Sequence, residues 1–480
     1  MNDRHQVVTN NPQSPPRDQR FLDVRTRRAT ALSRFLAEYG MLGVLVVLCA
    51  FFSALTLRDQ HRTGRSAADA LAPVLVRESP GGALVVARSG ANDLRFAQRL
   101  ADRVRMLGGR VDGVVTGDPA QVRQAFERLD LTRGPLAVAT LEEYAPTVGG
   151  ILRSFPGQER AVVLTPRPYR WPTFLLPENL RNVANQIAVI AIIAIGMTMV
   201  IITGGIDLSV GSLIALAAVI TTGLIGELGG LTASGLATVA AAVVAILLCG
   251  IVGAFSGLVI TRFRVPPFIA TLAMMQVGSG VAYIVSHGKP IYEVPDRFVT
   301  LGRGTFPLLG IPYAVMLMVV LYVVAHVLMS RTTLGRYIYA VGGNAEAARL
   351  AGIRVSAVVM FVFIACGMLA GLGGVVMSSQ LKSGAPTYGL MYELYVIAAV
   401  VVGGTSLSGG EGRIFGTLIG AFIIAVIQNG MNLTNVESYS QKVVLGLVIL
   451  TAVLLDRVRH HQWFWRRKAI RPHDTLQSPV

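Results

Sequence analysis

The string GGIDLSVGS at 204–212 places a carboxylate between two long apolar segments, and it is the sharpest chemical feature of the chain. A carboxylate in an apolar region must be paired, hydrogen-bonded or hydrated, because its ionised form is costly there. Asp207 and Ser209 are therefore candidates for shaping a polar path, or a gate on that path. The alternative is that both side chains only cap the helix that starts near Gly211, since Asp and Ser are favoured N-cap residues.

A second glycine-rich string, GGTSLSGGEGR at 403–413, also stands just before an apolar segment. Paired glycines permit tight turns and close packing, because they carry no side chain. The likeness of the two strings indicates either a weak internal repeat or merely two similar turns.

The polar loop at 330–355 contains a short predicted helix. Two glycines, Gly342 and Gly343, interrupt the chain, Asn344 can cap a helix, and Gly352 can end it. The residues between these signals include good helix formers, namely Glu346, Ala347, Ala348 and Arg349. A short capped helix in such a loop is either a docking element for a soluble partner or an ordinary connector on a membrane surface.

No string in the sequence predicts a catalytic or phosphate-binding site. There is no GxxxxGK[ST] string, and none of the four lysines lies in a phosphate-cradling loop. The three cysteines lie in apolar stretches and fit neither a disulfide framework nor a metal site. We therefore expect no enzyme activity, metal or cofactor on this chain; if ATP drives the protein, another chain hydrolyses it.

The composition is that of an integral membrane protein. Of the 480 residues, 52% are hydrophobic and only 15% are charged, whereas soluble proteins carry about 25% charged residues. The net charge of +16 comes largely from arginines that flank apolar segments. Such clusters normally reflect membrane topology and contact with anionic lipid. We therefore expect the basic residues to contact membrane lipid rather than nucleic acid.

Ten apolar segments are candidates for membrane spans, which need roughly 20 residues each. They lie at about 39–57, 183–203, 211–229, 235–260, 267–286, 311–329, 356–377, 391–403, 414–432 and 441–456. The segment at 391–403 is short and contains Glu393, so it is either a full span or a partial, re-entrant helix. The predicted fold class is an all-α polytopic membrane protein of about ten helices, with a small α/β soluble domain inserted after the first.

An even number of spans puts both termini on the same side, and the arginine clusters at both ends predict that this side is the cytoplasm. The long polar insert would then be external, since long domains translocate largely regardless of charge. The predicted organisation is a cytoplasmic tail at 1–38, a first helix at 39–57, an external domain at 58–180, a membrane domain at 181–458 and a cytoplasmic tail at 459–480.

The insert alternates predicted strands and helices, which is typical of a parallel sheet covered by helices. The predicted strands lie at 83–87, 110–116, 136–140 and 161–165. Asn92 is expected to cap a helix after the first strand, and Asp118 one after the second. Because both ends of the insert, near Leu57 and Pro177, return to the membrane, we expect them to lie close together.

Four ordered strings give the chain a family resemblance. They are IGMTMVIITGGIDLSVGSLIAL (195–216), TRFRVPPFIATLAMM (261–275), LGRYIYAVGGNAEAARLAGIRV (334–355) and GGTSLSGGEGRIFGTLIGAFIIAVIQNGMNLTNV (403–436). Over about 177–458 and the first span, the chain resembles the ribose/xylose/galactose-type permeases of ABC importers. The insert at 58–180 is a departure, because it replaces the usual short external link between the first two spans.

The resemblance implies a homodimeric inner-membrane permease that moves a ribose-like monosaccharide by alternating access. It implies two cytoplasmic ATPase subunits, which bind the ATP, and a periplasmic sugar-binding protein as partners. The segment from Asn344 to Gly352 would be the coupling helix that contacts the ATPases, since it matches the EAA–G signature of importer permeases. Further candidates for the path or gate are Gln186, Phe268 and Thr271.

Two other function classes stay open on the sequence alone. One is a secondary transporter driven by an ion gradient, although charged residues are scarce within the spans. The other is a membrane sensor or scaffold in which the external domain recognises a ligand. A neighbouring gene that encodes an ATPase with a phosphate-binding loop would favour the importer over both.

Overall fold

The computed structural model describes residues 40–79, 82–128, 137–156 and 161–468, with side chains described up to 454. The predicted tail at 1–38, and that at 459–480 apart from the end of the last helix, lie outside the described residues. The chain divides into two compact units. The smaller consists of residues 53–175, and the larger contains the chain on either side of it.

Among its described residues, the smaller unit contains the end of α1 (Gly40–Leu55), six strands and four further α-helices. In chain order these are β1 (Leu57–Gln60), α2 (Gly64–Glu78), β2 (Ala83–Ala87), α3 (Ala91–Met106), β3 (Val111–Thr116), α4 (Pro119–Glu127), β4 (Ala137–Ala139), α5 (Ala145–Arg153), β5 (Val162–Leu164) and β6 (Tyr169–Pro172).

Four of these strands form a parallel sheet in the order β3-β2-β4-β5. Successive side chains of a strand point to opposite faces, and β2 is buried on both. Val85 packs with α2 and α3 in one apolar cluster. Leu84 and Val86 pack with α4 and α5 in another. The unit is therefore a three-layer arrangement with helices on both faces of the sheet.

The two ends of the smaller unit lie side by side. β1 and β6 pair in antiparallel fashion, with Leu57 opposite Pro172 and Gln60 opposite Tyr169. The Gln60 side chain also donates a hydrogen bond to the Thr173 hydroxyl at 2.9 Å. The closeness of the two ends predicted from the sequence is thus present in the structure.

The helix caps of the smaller unit agree with the sequence prediction at one position and not at another. The Asp118 side chain accepts a hydrogen bond from the backbone N–H of Gln121 at 2.8 Å, and the Asp118 backbone N–H donates one to the Gln121 side-chain oxygen at 3.0 Å. The predicted cap at Asn92 is wrong, because α3 begins earlier and Gly90 is its N-cap. The Asn92 side chain instead accepts a hydrogen bond from Arg95 within the first turn.

In the part of the larger unit that the structure describes, twelve further α-helices follow. They are α6 (Pro177–Ile202), α7 (Val210–Glu227), α8 (Gly235–Phe263), α9 (Pro267–Val285), α10 (Asp296–Arg303), α11 (Tyr313–Arg331), α12 (Thr333–Gly343), α13 (Ala345–Leu350), α14 (Val355–Leu381), α15 (Tyr392–Val402), α16 (Ile414–Leu433) and α17 (Ser438–Lys468).

Seven of the described helices are long and apolar enough to cross a membrane, namely α6, α7, α8, α9, α11, α14 and α16. Three shorter apolar helical stretches, α1, α15 and Ser438–Leu454 of α17, coincide with the other predicted spans. α6 is buried almost throughout and packs against α11, α14, α15 and α16. By contrast, α8 and α9 expose large apolar side chains, as helices that face lipid do. The protein is a polytopic, mainly helical membrane protein.

The segment between α14 and α15 is not helical, yet it is packed against α7 along much of that helix. A Cβ on Gly384 would overlap the Ala218 carbonyl oxygen, and one on Gly389 would overlap that of Gly211. Non-helical backbone is tolerated at membrane depth only where protein or a water-filled cavity surrounds it. The region around α15 therefore consists of an irregular segment followed by a short helix.

Candidate functional site

Asp207 is fully buried in the turn between α6 and α7. Its Oδ1 atom accepts hydrogen bonds from the Ser209 backbone N–H at 2.9 Å and from the Ser209 hydroxyl at 2.6 Å. The thiol of Cys366, on α14, lies beside the carboxyl group. A buried carboxyl needs such polar neighbours, because burial without them is costly. Asp207 thus orders its own turn and brings that turn against α14.

The interpretation of Asp207 and Ser209 as caps of α7 is wrong. Ser209 occupies the N-cap position, but its side chain accepts no hydrogen bond from the first turn of α7. Its hydroxyl is instead directed to Asp207. Asp207 accepts from a backbone N–H two residues ahead, which is the pattern of an Asx turn. The two side chains hold the turn before the helix.

Thr271, on α9, joins the same turn from outside. Its hydroxyl oxygen accepts a hydrogen bond from the Leu208 backbone N–H at 3.1 Å and lies 3.1 Å from the Ile206 carbonyl oxygen. Thr271 is fully buried. Phe268, one turn earlier on α9, is 53% exposed and does not belong to this cluster. The structure therefore unites Asp207, Ser209 and Thr271.

Gln186 belongs to a different feature, a cavity of about 140 Å³ near the start of α6. Its polar lining comes from four helices and consists of Gln186, Tyr392, Tyr395, Gln428, Asn432 and Gln441. The Gln441 side chain donates a hydrogen bond to the Asn432 side chain at 2.9 Å. Among the described residues that line the cavity there is no charged side chain. Neutral amide and phenol groups can donate and accept hydrogen bonds to uncharged polar solutes.

The sequence interpretation missed five of these polar lining residues. All of them lie at or near an end of a predicted apolar span, where an amide or tyrosine is easily read as an interface residue. Gln428 and Asn432 are four positions apart on α16 and so share a helix face. That spacing is the sequence signal that could have indicated a polar stripe.

The cavity and the Asp207 turn lie at different levels along α6. The cavity is lined by residues of α6 from Val183 to Ile190, whereas Gly196 packs against Cys366, whose thiol lies beside Asp207. Glu393, at the start of α15, lies against the first turn of α7, which follows the Asp207 turn. A Cβ on Gly211, in the first turn of α7, would overlap its carboxylate. Glu393 follows Tyr392 of the cavity lining, so α15 connects the two features.

The helix α13 has the features that the sequence predicts for its loop. The Asn344 side chain caps it by accepting a hydrogen bond from the Ala347 backbone N–H at 2.9 Å. Glu346 and Arg349 form an exposed ion pair, and the adjacent guanidinium lowers the pKa of the Glu346 carboxyl. Ala348 faces the interior at 5% exposure. Gly352 takes a left-handed conformation just beyond the helix, with φ of 84°.

Three glycine-containing segments meet next to the start of α13. The backbone N–H of Gly410 donates a hydrogen bond to the Ile202 carbonyl oxygen, at the end of α6, at 2.8 Å. A Cβ on Gly342 would overlap that same oxygen. The Tyr339 hydroxyl donates to the Gly412 carbonyl oxygen at 2.8 Å. We call this contact, made by Ile202, Gly342 and Gly410, the glycine junction. It connects the segment just before α13 to the end of α6, which leads into the turn that contains Asp207.

Comparison with known proteins identifies the family. Residues 179–453 match the family model for the permease component of branched-chain amino acid transport systems. The chain belongs to this permease family. The permease is 46% identical to the ribose import permease protein of Bacillus subtilis (strain 168) over 288 residues, which is 60% of this chain and 87% of that protein.

Other relatives of the permease are also named as sugar transport subunits. The ribose import permease protein of Escherichia coli (strain K12) is 46% identical over 289 residues, 59% of this chain and 87% of the relative. The L-arabinose ABC transporter permease protein of Azospirillum brasilense is 38% identical over 291 residues, which is 61% of this chain and 83% of that protein. No solved structure matches the permease.

The matched segment contains every candidate site residue of the permease but excludes the smaller unit at 53–175. Within the described residues, no group of three or more His, Cys, Asp or Glu side chains is placed to hold a metal ion. The candidate site of the permease therefore consists of hydrogen-bonding groups on helices and turns: the polar cavity, the Asp207 turn and α13 above the glycine junction.

Proposed function

We propose that the chain is the membrane-spanning subunit of an ABC importer that carries a ribose-like monosaccharide across the inner membrane. The observation that carries this proposal is the uncharged polar cavity at the start of α6, in a chain whose relatives are named as ribose and arabinose permeases. A monosaccharide has several hydroxyl groups and no charge. Amides and phenols satisfy such groups without the desolvation cost of a buried charge.

We place the cavity on the external side and the Asp207 turn on the cytoplasmic side of a ten-span topology. In this topology α1, the α15 region and α17 add three spans to the seven long helices, both termini are cytoplasmic and the smaller unit is periplasmic. The irregular segment before α15 supports a discontinuous span beside the cavity. Discontinuous helices commonly form the substrate sites of transporters.

Coupling to ATP is proposed to run through α13. Two partner ATPase subunits would bind and hydrolyse ATP in the cytoplasm and would contact the exposed Glu346–Arg349 pair. The glycine junction supports this route, because it connects the base of α13 to the end of α6 without intervening side chains. A displacement of α13 would then move α6, whose N-terminal half lines the cavity. A second copy of the chain and a periplasmic sugar-binding protein complete the proposed assembly.

The test is transport of radiolabelled D-ribose, L-arabinose and D-allose in proteoliposomes containing the permease with its ATPase and binding protein. We expect ATP-dependent uptake that is insensitive to ionophores. Gln186→Leu should reduce uptake about tenfold, since it replaces a hydrogen-bonding amide in the cavity with an apolar group of similar size. Leu180→Gln, which alters an exposed residue of the same helix, is the matched control and should transport normally.

Two results would contradict the proposal. Uptake that needs an ion gradient and no ATPase would assign the chain to secondary transporters. Binding of a sugar by the smaller unit with no transport of any tested sugar would assign it to membrane sensors.

A further inference from the structure

The order of strands in the smaller unit creates a crevice at one edge of its sheet. From β2 the chain passes to β3 on one side, and then crosses to β4 on the other side of β2. α3 packs on one face of the sheet and α5 on the other. The connections that leave β2 and β4 therefore diverge. In open parallel sheets, ligands bind outside the carboxyl ends of the strands at such a reversal.

A cavity of about 350 Å³ lies at this edge. Its lining comes from the segments that follow β2, β3 and β4, and consists of Arg88, Ser89, Gly117, Asp118, Pro119, Glu143, Tyr144 and Thr147. Small-molecule sites commonly measure about 300 to 1,000 Å³. The cavity has the size for one small ligand.

The walls of the cavity are held by direct contacts. The Arg88 guanidinium donates a hydrogen bond to Glu143 at 2.8 Å and lies over the Tyr144 ring, 5.5 Å from its centre. The Tyr144 hydroxyl donates to the Gly117 carbonyl oxygen at 3.1 Å. These contacts join the ends of β2, β3 and β4. The lining is thus preorganised, which lowers the entropy cost of binding.

A buried polar group at the same edge lacks a partner. Thr140 directly follows β4 and is fully buried. Its hydroxyl has no hydrogen-bond partner among the described residues. Buried hydroxyl groups are nearly always hydrogen-bonded, and an exception calls for an explanation such as a missing ligand or water. Thr140 is not among the residues that line the cavity, so its unpaired hydroxyl lies behind the cavity wall at the carboxyl end of β4.

The charges of the crevice select the ligand class. The lining holds one guanidinium and two carboxylates, and Asp93 adds a third carboxylate 3.7 Å from Arg88. An anionic ligand such as phosphate would be repelled by the excess of carboxylates. A cation would have to displace the Arg88 guanidinium, which already pairs with Glu143 at 2.8 Å and with Asp93 at 3.7 Å. A neutral hydroxyl group can both donate to a carboxylate and accept from a guanidinium, so it suits the Arg88–Glu143 pair.

We propose that the smaller unit, residues 53–175, binds a neutral polyhydroxylated molecule of monosaccharide size in the crevice between the carboxyl ends of β2 and β4. The Arg88–Glu143 pair provides the donors and acceptors, and the Tyr144 ring provides an aromatic wall. This site is separate from the cavity of the membrane helices. It does not depend on the proposed transport function.

The test is hydrogen-exchange mass spectrometry on the full-length permease in lipid nanodiscs, with millimolar D-ribose, L-arabinose or D-allose as probes. We expect at least one of these sugars to protect the segments 88–93, 117–119 and 140–147 in a saturable manner. Inorganic phosphate should give no protection there. Gln186→Leu, in the membrane cavity, should leave this protection unchanged, which separates the site from any failure of transport.

Two variants should weaken the protection by at least tenfold in apparent affinity, namely Arg88→Ala and Glu143→Gln. The matched control is Arg99→Ala, which breaks an exposed ion pair with Asp69 between α2 and α3 and should bind normally. Glu143→Gln removes only a charge from an exposed side chain, so it keeps the test valid if Arg88→Ala misfolds. The proposal is overturned if none of the three sugars protects these segments, if phosphate protects them, or if Glu143→Gln binds unchanged.

Discussion

At the scale of single residues, Asp207 shows how a carboxyl group is held within an apolar helical protein. One of its oxygens receives two hydrogen bonds from Ser209, and the Cys366 thiol lies beside the group. Thr271 fixes the neighbouring backbone from α9. The turn is thus held from both α9 and α14.

This geometry predicts different effects for two substitutions of Asp207. Asp207→Asn keeps an oxygen that can accept both Ser209 hydrogen bonds, so we expect normal expression and transport within about threefold. Asp207→Ala leaves the Ser209 donors unpaired, which should cost about 1–3 kcal/mol of stability. Thermal unfolding and proteoliposome uptake measure the two effects. If Asp207→Asn abolishes transport in a stable protein, the negative charge itself is required.

A second residue-scale prediction concerns the glycine junction. A Cβ on Gly342 would overlap the Ile202 carbonyl oxygen, whereas one on the adjacent Gly343 meets nothing within 4 Å. We therefore expect Gly342→Ala to lower the melting temperature and transport markedly. Gly343→Ala is the matched control and should be neutral or slightly stabilising, since alanine reduces backbone entropy in the unfolded chain. Equal behaviour of the two variants would contradict the close contact.

At the scale of elements, α13 combines a buried side with an exposed one. Ala348 packs inward, while the Glu346–Arg349 pair and Leu350 are exposed. An exposed ion pair contributes little to stability, so it is free to serve recognition. The glycine junction lies next to the start of α13, and its closest contacts are between backbone atoms.

Charge reversal on α13 therefore predicts a functional defect without a folding defect. Glu346→Lys should leave membrane insertion and melting temperature unchanged but uncouple ATP hydrolysis from uptake, because it places a like charge in a docking contact. The measurement is the number of sugars transported per ATP hydrolysed. Glu227→Lys, an equal charge change at the exposed end of α7, serves as the control. Normal coupling in Glu346→Lys would remove α13 from the mechanism.

At the scale of the whole molecule, the chain combines a helical membrane unit with a small α/β unit that has its own apolar clusters. The pairing of β1 with β6 brings the ends of the α/β unit together. Such an insertion can be accommodated in the single link between α1 and α6, because its two ends occupy little more space than a turn.

Removal of the α/β unit should accordingly be tolerated by the membrane unit. The Thr173 backbone N–H donates a hydrogen bond to the Thr56 carbonyl oxygen at 2.9 Å, so the chain on either side of 60–172 is close enough for a short Gly/Ser linker to join. We expect normal insertion and dimer formation, with an altered response to the binding protein. Size-exclusion chromatography and binding-protein-stimulated ATPase activity are the measurements. Failure to insert or assemble would show that the α/β unit is an integral part of the permease.

The ten-span topology makes a prediction about sides of the membrane. A reporter fused after Val480 and a label placed near Gly134 should lie on opposite sides, because the basic clusters at both ends indicate cytoplasmic termini. Accessibility to a membrane-impermeant reagent in intact cells and in inverted vesicles measures this. Labelling of both positions from one side would refute the ten-span model.

The sequence by itself determined the features that depend on local chemistry. The long apolar helices follow from hydropathy and length, as α8 and α14 illustrate. The cap at Asn344 and the capping box at Asp118 follow from a few neighbouring residues. The strand β2 follows from a run of apolar residues between turn signals. Each of these features depends on residues that are neighbours in the sequence, so an isolated segment already specifies it.

Only the tertiary structure decided which of these features meet. Thr271 joins the Asp207 turn, while Phe268, one turn away, faces outward. Gln186 shares a cavity with residues of α15, α16 and α17, and the glycine junction unites Gly342 with Gly410. Such contacts join residues that are tens to hundreds of positions apart, and they depend on how whole helices pack. Hydropathy and capping signals describe each helix alone and carry no information about its neighbours.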